Sequence, residues 1–358
     1  MIRTWIKAEA ARVACRTGLD RIMGSLSGAR RTPLIVGYHR VVEDFALSAE
    51  TSIPSLLVSR AMLERHLDWL GRRYRFVDLD ELGALLESGR AFDNIDRPVA
   101  AITFDDGYRD FYDLALPTLR KKGVPAALFV CTDLVGTARA QIHDRLYFLL
   151  GRRGGCRPLP AGFRLPAIAG MNPYQAMRAL LETVPWYGLQ QVIRALESEE
   201  SIPEHAFSPS VTWEELDRIR RAGIVVGSHT RTHIVMTNET RDSVIDEVAG
   251  SRRDLERRLG AVVRHFAYPG GIYNAASVNA VAAAGYRFGY TTCTHRSSEH
   301  PLLTVPRTLW WEGSALDCNR TLSESIMSCQ VNGAFELVAG CRQNHAIAPG
   351  RLEAHADL

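Results

Sequence analysis

The chain lacks several features that would settle its class at once. It has only seven cysteines in 358 residues, at 15, 131, 156, 293, 318, 329 and 341, without C-x-x-C spacing. An odd, scattered set excludes a zinc finger and argues against a disulfide framework, so reduced thiols in a cytosolic protein are the expectation. No run of about 18 apolar residues exists, and no transmembrane helix is expected. Charge of one sign is scarce: 43 Lys and Arg against 40 Asp and Glu leave +3, too weak a bias to expect nucleic acid as a partner. There is no internal repeat and no low-complexity tract. What remains, 46% apolar and 23% charged residues, is globular composition and excludes wholesale disorder, collagen and coiled coil. The length admits one large domain with an insertion or two smaller ones.

Residues 1–31 stand apart, with seven basic side chains against two acidic ones, a local +5. Charge interrupts the apolar residues every three or four positions, so a secretory apolar core is missing. Trp5, Ile6, Ala10, Val13, Leu19 and Ile22 recur instead at roughly helical spacing. Two readings stay open: an amphipathic helix lying on an anionic inner membrane face, or a solvated basic helix that caps the fold or frays.

From residue 32 onward short β-rich runs alternate with helical patterns. The strand candidates are Pro33–His39, Pro98–Asp106, Ala126–Cys131, Ile224–His229, His265–Pro269, Phe288–Cys293 and Leu302–Arg307. Helical patterns cover Ala61–Arg73, Tyr108–Lys122, Trp213–Ala222 and Ser243–Leu259, the last three each followed directly by glycine as a C-terminal stop. Such alternation implies an α/β protein with a parallel sheet or barrel, its active groups at the strand C-terminal ends. Seven strands in one repeating order favour the barrel. The alternation breaks at about 136–210, where His143–Leu150 and Tyr174–Glu197 read as helix around a Gly-, Pro- and Arg-rich stretch, Gly151–Pro166. This reads as an inserted helical segment hung on a barrel loop. The body is therefore assigned to 32–320, with 321–358 a C-terminal tail, disordered over Asn344–Leu358.

Two constellations carry chemistry. Asp105 and Asp106 end a strand in Thr103-Phe104-Asp105-Asp106-Gly107-Tyr108. A turn at Gly107 can bring both carboxylates to one pocket, where one binds a cation and the other stays free as a base. The same triplet could simply cap the helix that follows. His229 and His233 follow the apolar run Ile224–Ser228. Four residues apart on one helical turn, two neutral imidazoles can hold a single metal from one side, and they suit zinc, cobalt or nickel. Two histidines and one carboxylate leave positions open for water and substrate, as a catalytic metal requires.

TFDDGY, then SHTRTH, then FAYPGG at Phe266–Gly271 resemble, in that order, the polysaccharide deacetylases of carbohydrate esterase family four. The resemblance spans about Pro33 to Arg307. It implies a distorted (β/α)7 barrel that removes acetyl groups from sugars with one divalent metal. On it Asp105 matches the catalytic base, Asp106, His229 and His233 the metal ligands, and the Tyr108 backbone N–H the oxyanion donor. The family's third motif usually carries an arginine that orients the base; here that place is Ala267, so the orienting group must come from elsewhere. The family's usual histidine near the last strand is missing from Leu302–Arg307. Val36-Gly37-Tyr38-His39-Arg40-Val41 instead looks like the permuted members, including poly-N-acetylglucosamine deacetylases, and makes His39 the candidate general acid with a pKa near neutrality.

The expected activity is therefore metal-dependent removal of N-acetyl groups from a cell-surface polysaccharide, a glycolipid or a lipid-linked precursor, with zinc foremost. The alternatives are an amide or ester hydrolase on a non-polymeric substrate, and a silent carbohydrate-binding relic. A cytoplasmic placement, peripheral at the inner membrane through residues 1–31, is the expectation. Trp213, Trp310 and Trp311 are candidates for stacking on sugar rings or for the core. His66, His143, His205, His265, His295, His300, His345 and His355 show no comparable sequence context.

Overall fold

A computed structural model of the chain describes residues 2–29, 32–89, 97–152, 168–198, 202–203, 206–335, 341, 343 and 345. The strands are β1 Leu34–Tyr38, β2 Arg40–Val42, β3 Leu57–Ser59, β4 Arg75–Phe76, β5 Val99–Phe104, β6 Ala126–Val130, β7 Val225–Ser228, β8 His265–Ala267, β9 Phe288–Thr291, β10 Val305–Pro306 and β11 Thr308–Leu309. Eight of them pair in parallel in the order β10-β9-β8-β7-β6-β5-β1-β11, with β4 also on β5, while β2 and β3 form a separate ribbon. This is a nearly closed α/β barrel, and its two end strands are separated in the chain by Arg307 alone.

The last expected strand, Leu302–Arg307, divides. Pro301–Leu303 is a single 3-10 turn, β10 is two residues long, and Pro306 can donate nothing to a ladder. The chain then crosses the seam at Arg307 and continues as β11 on β1, with Val36 beside Thr308. So eight strands encircle the barrel where seven are expected.

Alternation along the strands decides which side chains face inward. Val99 and Ala101 of β5 join Ile35, Ala127, Phe129, Ala267, Phe288, Tyr290 and Val305 in the barrel interior. Ile102 and Phe104 belong to the outer layer under the helices. The same parity sends Thr103 and Asp105 inward, and on β1 it sends Gly37 and His39 inward after Ile35.

The insertion has its own core. Helix Ile142–Arg152 packs with Pro173–Thr183 and Trp186–Glu197 through Leu146, Leu149, Leu180, Val192 and Ile193. The expected single helix Tyr174–Glu197 is two, because Pro185 cannot continue the ladder. Tyr108–Lys122 likewise begins later, with a π-turn at Phe111–Ala115 before helix Leu116–Lys122. Most of Gly151–Pro166 and, His345 apart, the expected disordered tail Asn344–Leu358 lie outside the described residues, as do His205 and His355.

At the N-terminus, helices Ile2–Thr17 and Leu19–Leu26 meet Glu324–Val331, a helix within the segment expected to be a tail. Ala8, Ala11 and Ala14 are buried, whereas Ile6, Val13, Leu19, Ile22 and Leu26 are exposed. Among the described residues no helix is long and apolar enough to cross a membrane.

Candidate active site

The tip of β5 turns sharply. Asp106 (φ 72°) and Gly107 (φ 73°) are both left-handed, a conformation aspartate tolerates better than most residues. A Cβ on residue 107 would stand 2.9 Å from Val130 Cγ1, so glycine is required there. Gln141 Nε2, from the start of the insertion, donates to Asp106 O at 2.7 Å and holds the reversal. Asp105 and Asp106 consequently point to different partners within one buried pocket.

The tip of β7 presents the two histidines in a turn rather than on a helical turn. Thr230 (φ 66°) and His233 (φ 65°) are left-handed, which no helix permits and which costs on the order of 1–2 kcal/mol per residue. Buried hydrogen bonds hold it. Thr230 Oγ1 accepts the His233 N–H at 3.0 Å, and the Glu247 carboxylate accepts from Arg231 N, Thr232 N and Thr232 Oγ1 at 2.7, 3.0 and 2.7 Å. The result still brings the imidazoles together, with ring centres 4.9 Å apart.

Asp106 Oδ1 lies 3.5 Å from His229 Nε2 and 3.3 Å from His233 Nε2. His229 Nδ1 stands 2.8 Å from Ala267 O; a carbonyl only accepts, so Nδ1 carries the proton and Nε2 presents its lone pair. Burial lowers the pKa of His229, and that of His233 well below its usual value, so both rings are neutral. Among the described residues neither oxygen of Asp106, itself 1% exposed, has a hydrogen-bond donor. Burial, then Asp105 and Asp144, push its carboxyl well above the ordinary range. A buried carboxylate facing two neutral imidazoles is a site shaped for a cation, and the N, N, O set fits zinc and its neighbours.

Asp105 has the opposite surroundings. Arg307 grips it with both arms, Nη1 to Oδ1 at 2.8 Å and Nη2 to Oδ2 at 2.7 Å. Arg307 Nη1 also donates to Thr103 Oγ1 at 3.1 Å. A Cβ at Gly37 would lie 2.5 Å from Leu309 Cδ2 and 3.4 Å from Thr103 Oγ1, so the bare backbone of β1 keeps this corner open. Burial is the largest influence and pushes Asp105 up, but the Arg307 charge, His229 and the Arg307 hydrogen bonds together outweigh it and bring the carboxyl to about 2. The arginine missing at Ala267 is thus replaced from the β10–β11 seam, while Ala267 contributes its carbonyl to His229.

His39 follows β1, which pairs with β5, and strand alternation turns it towards the same side as Asp105. Its pKa is not near neutrality, as the sequence suggests: burial lowers it, and despite Asp105 it comes to about 4. Tyr108 and Ser210 form an antiparallel bridge, closed by Arg109 N to Pro209 O and Val211 N to Gly107 O, each at 2.9 Å. In that register the Tyr108 N–H points away from Ser210.

Two residues without sequence context join the site. His143 Nε2 lies 3.5 Å from Asp106 Oδ2 and 2.8 Å from the Tyr108 hydroxyl, which itself donates to Asp144 Oδ2 at 2.7 Å. Gln141 is the other. Neither sits in a ligand spacing, and only the dense polar start of an otherwise apolar helix could have marked them. Trp310 is core, 2% exposed with its ring edge-on to His66 at 5.0 Å.

The family model for polysaccharide deacetylase matches residues 93–289. YxkH of Bacillus subtilis, a polysaccharide deacetylase by name, is 21% identical over 239 residues, 66% of this chain and 60% of its own length. The chain therefore spans less than two thirds of that relative. Among solved structures, the Streptococcus pyogenes deacetylase PplD superposes with TM-score 0.51 at 19% identity, covering 79% of this chain and 94% of that one. IcaB from Ammonifex degensii gives 0.50 at 20%, covering 78% and 92%. A Bacillus cereus polysaccharide deacetylase gives 0.52 at 17%, covering 84% and 68%. At these identities the likeness establishes the fold.

Proposed function

The chain belongs to the polysaccharide deacetylase family, and from that premise we propose that it is a metal-dependent hydrolase removing N-acetyl groups from an N-acetylated saccharide. The observation that carries the reading is the Asp106 carboxylate, buried without a donor among the described residues and facing Nε2 of His229 and His233. These three would hold one divalent ion, zinc foremost. Such an ion, when bound, supplies a Lewis acid for the amide carbonyl and a lowered pKa for a water.

The protein's own groups complete the proposed chemistry. Asp105, kept ionised by Arg307, takes the proton of the attacking water. The Tyr108 N–H donates to the oxygen that becomes negative as the carbonyl carbon turns tetrahedral. The amine leaves only when protonated, and His39 delivers that proton. With its pKa near 4 in the resting site, His39 is neutral until negative charge on the tetrahedral oxygen favours its cationic form. It then takes up the proton that Asp105 drew from the water, restoring the Asp105 carboxylate, and passes it to the amine nitrogen. The C–N bond then breaks, leaving acetate and a free amine.

A lipid-linked saccharide at the inner membrane face is the proposed substrate setting. Ile6, Val13, Ile22 and Leu26 are exposed beside Arg16 and Arg21 on the N-terminal helices, which supports contact with an anionic surface. The test is a mass-spectrometric screen for acetyl loss across sugar-nucleotide, lipid-linked and oligomeric N-acetylhexosamines. Chelation is expected to abolish the reaction and zinc, cobalt or nickel to restore it. Full turnover by demonstrably metal-free protein would end the proposal.

A further inference from the structure

The cysteines have no ligand spacing in sequence, yet the fold collects two of them. Cys293, just past β9, and Cys341, 48 positions later, bring their Sγ atoms to 2.8 Å. His345 Nε2 lies 3.4 Å from the first sulfur and 3.2 Å from the second. The cluster shares no residue with the Asp106, His229 and His233 site.

Each donor is prepared by its surroundings. His345 Nδ1 is 3.1 Å from Tyr273 O, so Nδ1 carries the proton and the Nε2 lone pair is directed at the sulfurs. Both sulfurs accept a backbone N–H from two residues on, His295 N to Cys293 at 3.3 Å and Gln343 N to Cys341 at 3.4 Å. Hydrogen bonds of this kind stabilise negative charge on sulfur. The cluster ties two distant stretches together: Gln343 Nε2 donates to Gly271 O at 3.1 Å and Ala275 N to His345 O at 3.2 Å.

We propose that Cys293, Cys341 and His345 form a second metal site, for zinc or another thiophilic divalent ion, that fastens the C-terminal segment to the loops after β8 and β9. Two soft sulfurs and one imidazole are the donor set such ions prefer. The fourth position falls to water. The role is structural, because metal held by groups so far apart in sequence favours the docked segment. A disulfide between the same sulfurs would leave the aimed imidazole without a task.

Cobalt(II) separates this site from the other one. Only sulfur donors give thiolate-to-cobalt absorption in the near ultraviolet, and the Asp106 site has none. Full-length reduced protein loaded with cobalt and desalted should carry two ions per chain and show that band. Cys341→Ser should remove the band and one ion; the position is exposed, so folding is not at risk. His345→Ala should weaken both readings in the same direction, and His229→Ala should remove one ion while keeping the band. Reduced wild type without the band would overturn the proposal. So would an intact mass lower by two hydrogens, with iodoacetamide labelling of these cysteines only after reduction, which marks a disulfide.

Discussion

The two sides of the barrel mouth are built from adjacent residues and behave oppositely. On the seam side, Asp105 has both oxygens engaged by Arg307 and its pKa brought down to about 2. On the β7 side, Asp106 is just as buried, has no donor among the described residues, and is pushed well above the ordinary range. Burial acts on both carboxyls; what differs is the cation already present. One side arrives with its positive charge covalently built into the chain, and on the other the proposed metal would supply it. The proposed division of labour between two neighbouring aspartates, one as base and one as ligand, rests on that asymmetry.

The comparison can be broken from either side. The largest effect is expected on the β7 side: His229→Ala or His233→Ala should reduce acetate release to the level of chelated wild type. Asp105→Asn comes next, with kcat lower by about 10²–10⁴, the range for losing a general base. His39→Ala should fall in the same span of about 10²–10⁴ for the amide and by less for an activated ester, whose leaving group needs no proton. Equal losses on both substrates would make His39 a positioning residue.

Arg307→Met sharpens the seam side. It leaves a buried carboxylate unpaired, at a cost of about 3–5 kcal/mol, and Asp105 should titrate higher. The acid limb of kcat/KM then moves to higher pH. In wild type the folded pKa of about 2 lies below the ordinary 3.8, so Asp105 contributes stability above pH 3.8 that is lost as pH falls towards 2. Acid unfolding of the variant should lack that component. Smallest is His143→Ala, which should weaken metal affinity by about 10- to 100-fold, as loss of a group supporting a ligand does. An unchanged affinity would detach the insertion from the site.

The legible parts of this protein are those in which neighbours in sequence stay neighbours in space. Strand alternation through Val99, Ala101 and Thr103 leads directly to Asp105, and the spacing of His229 and His233 survives although the turn between them is left-handed. That turn was hidden because Thr230, β-branched, rarely adopts positive φ, and contacts with Glu247, Ser228 and the Thr230 hydroxyl help to hold it there. Arg307 was hidden for another reason: it lies 202 positions from Asp105, and barrel closure alone unites them. His143, 37 positions from Asp106, reaches it through the insertion's packing.

Metal content of Asp105→Asn and Asp106→Asn, measured side by side by elemental analysis on full-length protein, tests the division of labour most directly. Cys341→Ser as the shared background removes any contribution from the sulfur cluster. Asp105→Asn should retain one ion per chain with turnover nearly lost, and Asp106→Asn should retain none. Loss of the ion in Asp105→Asn with retention in Asp106→Asn would contradict the account.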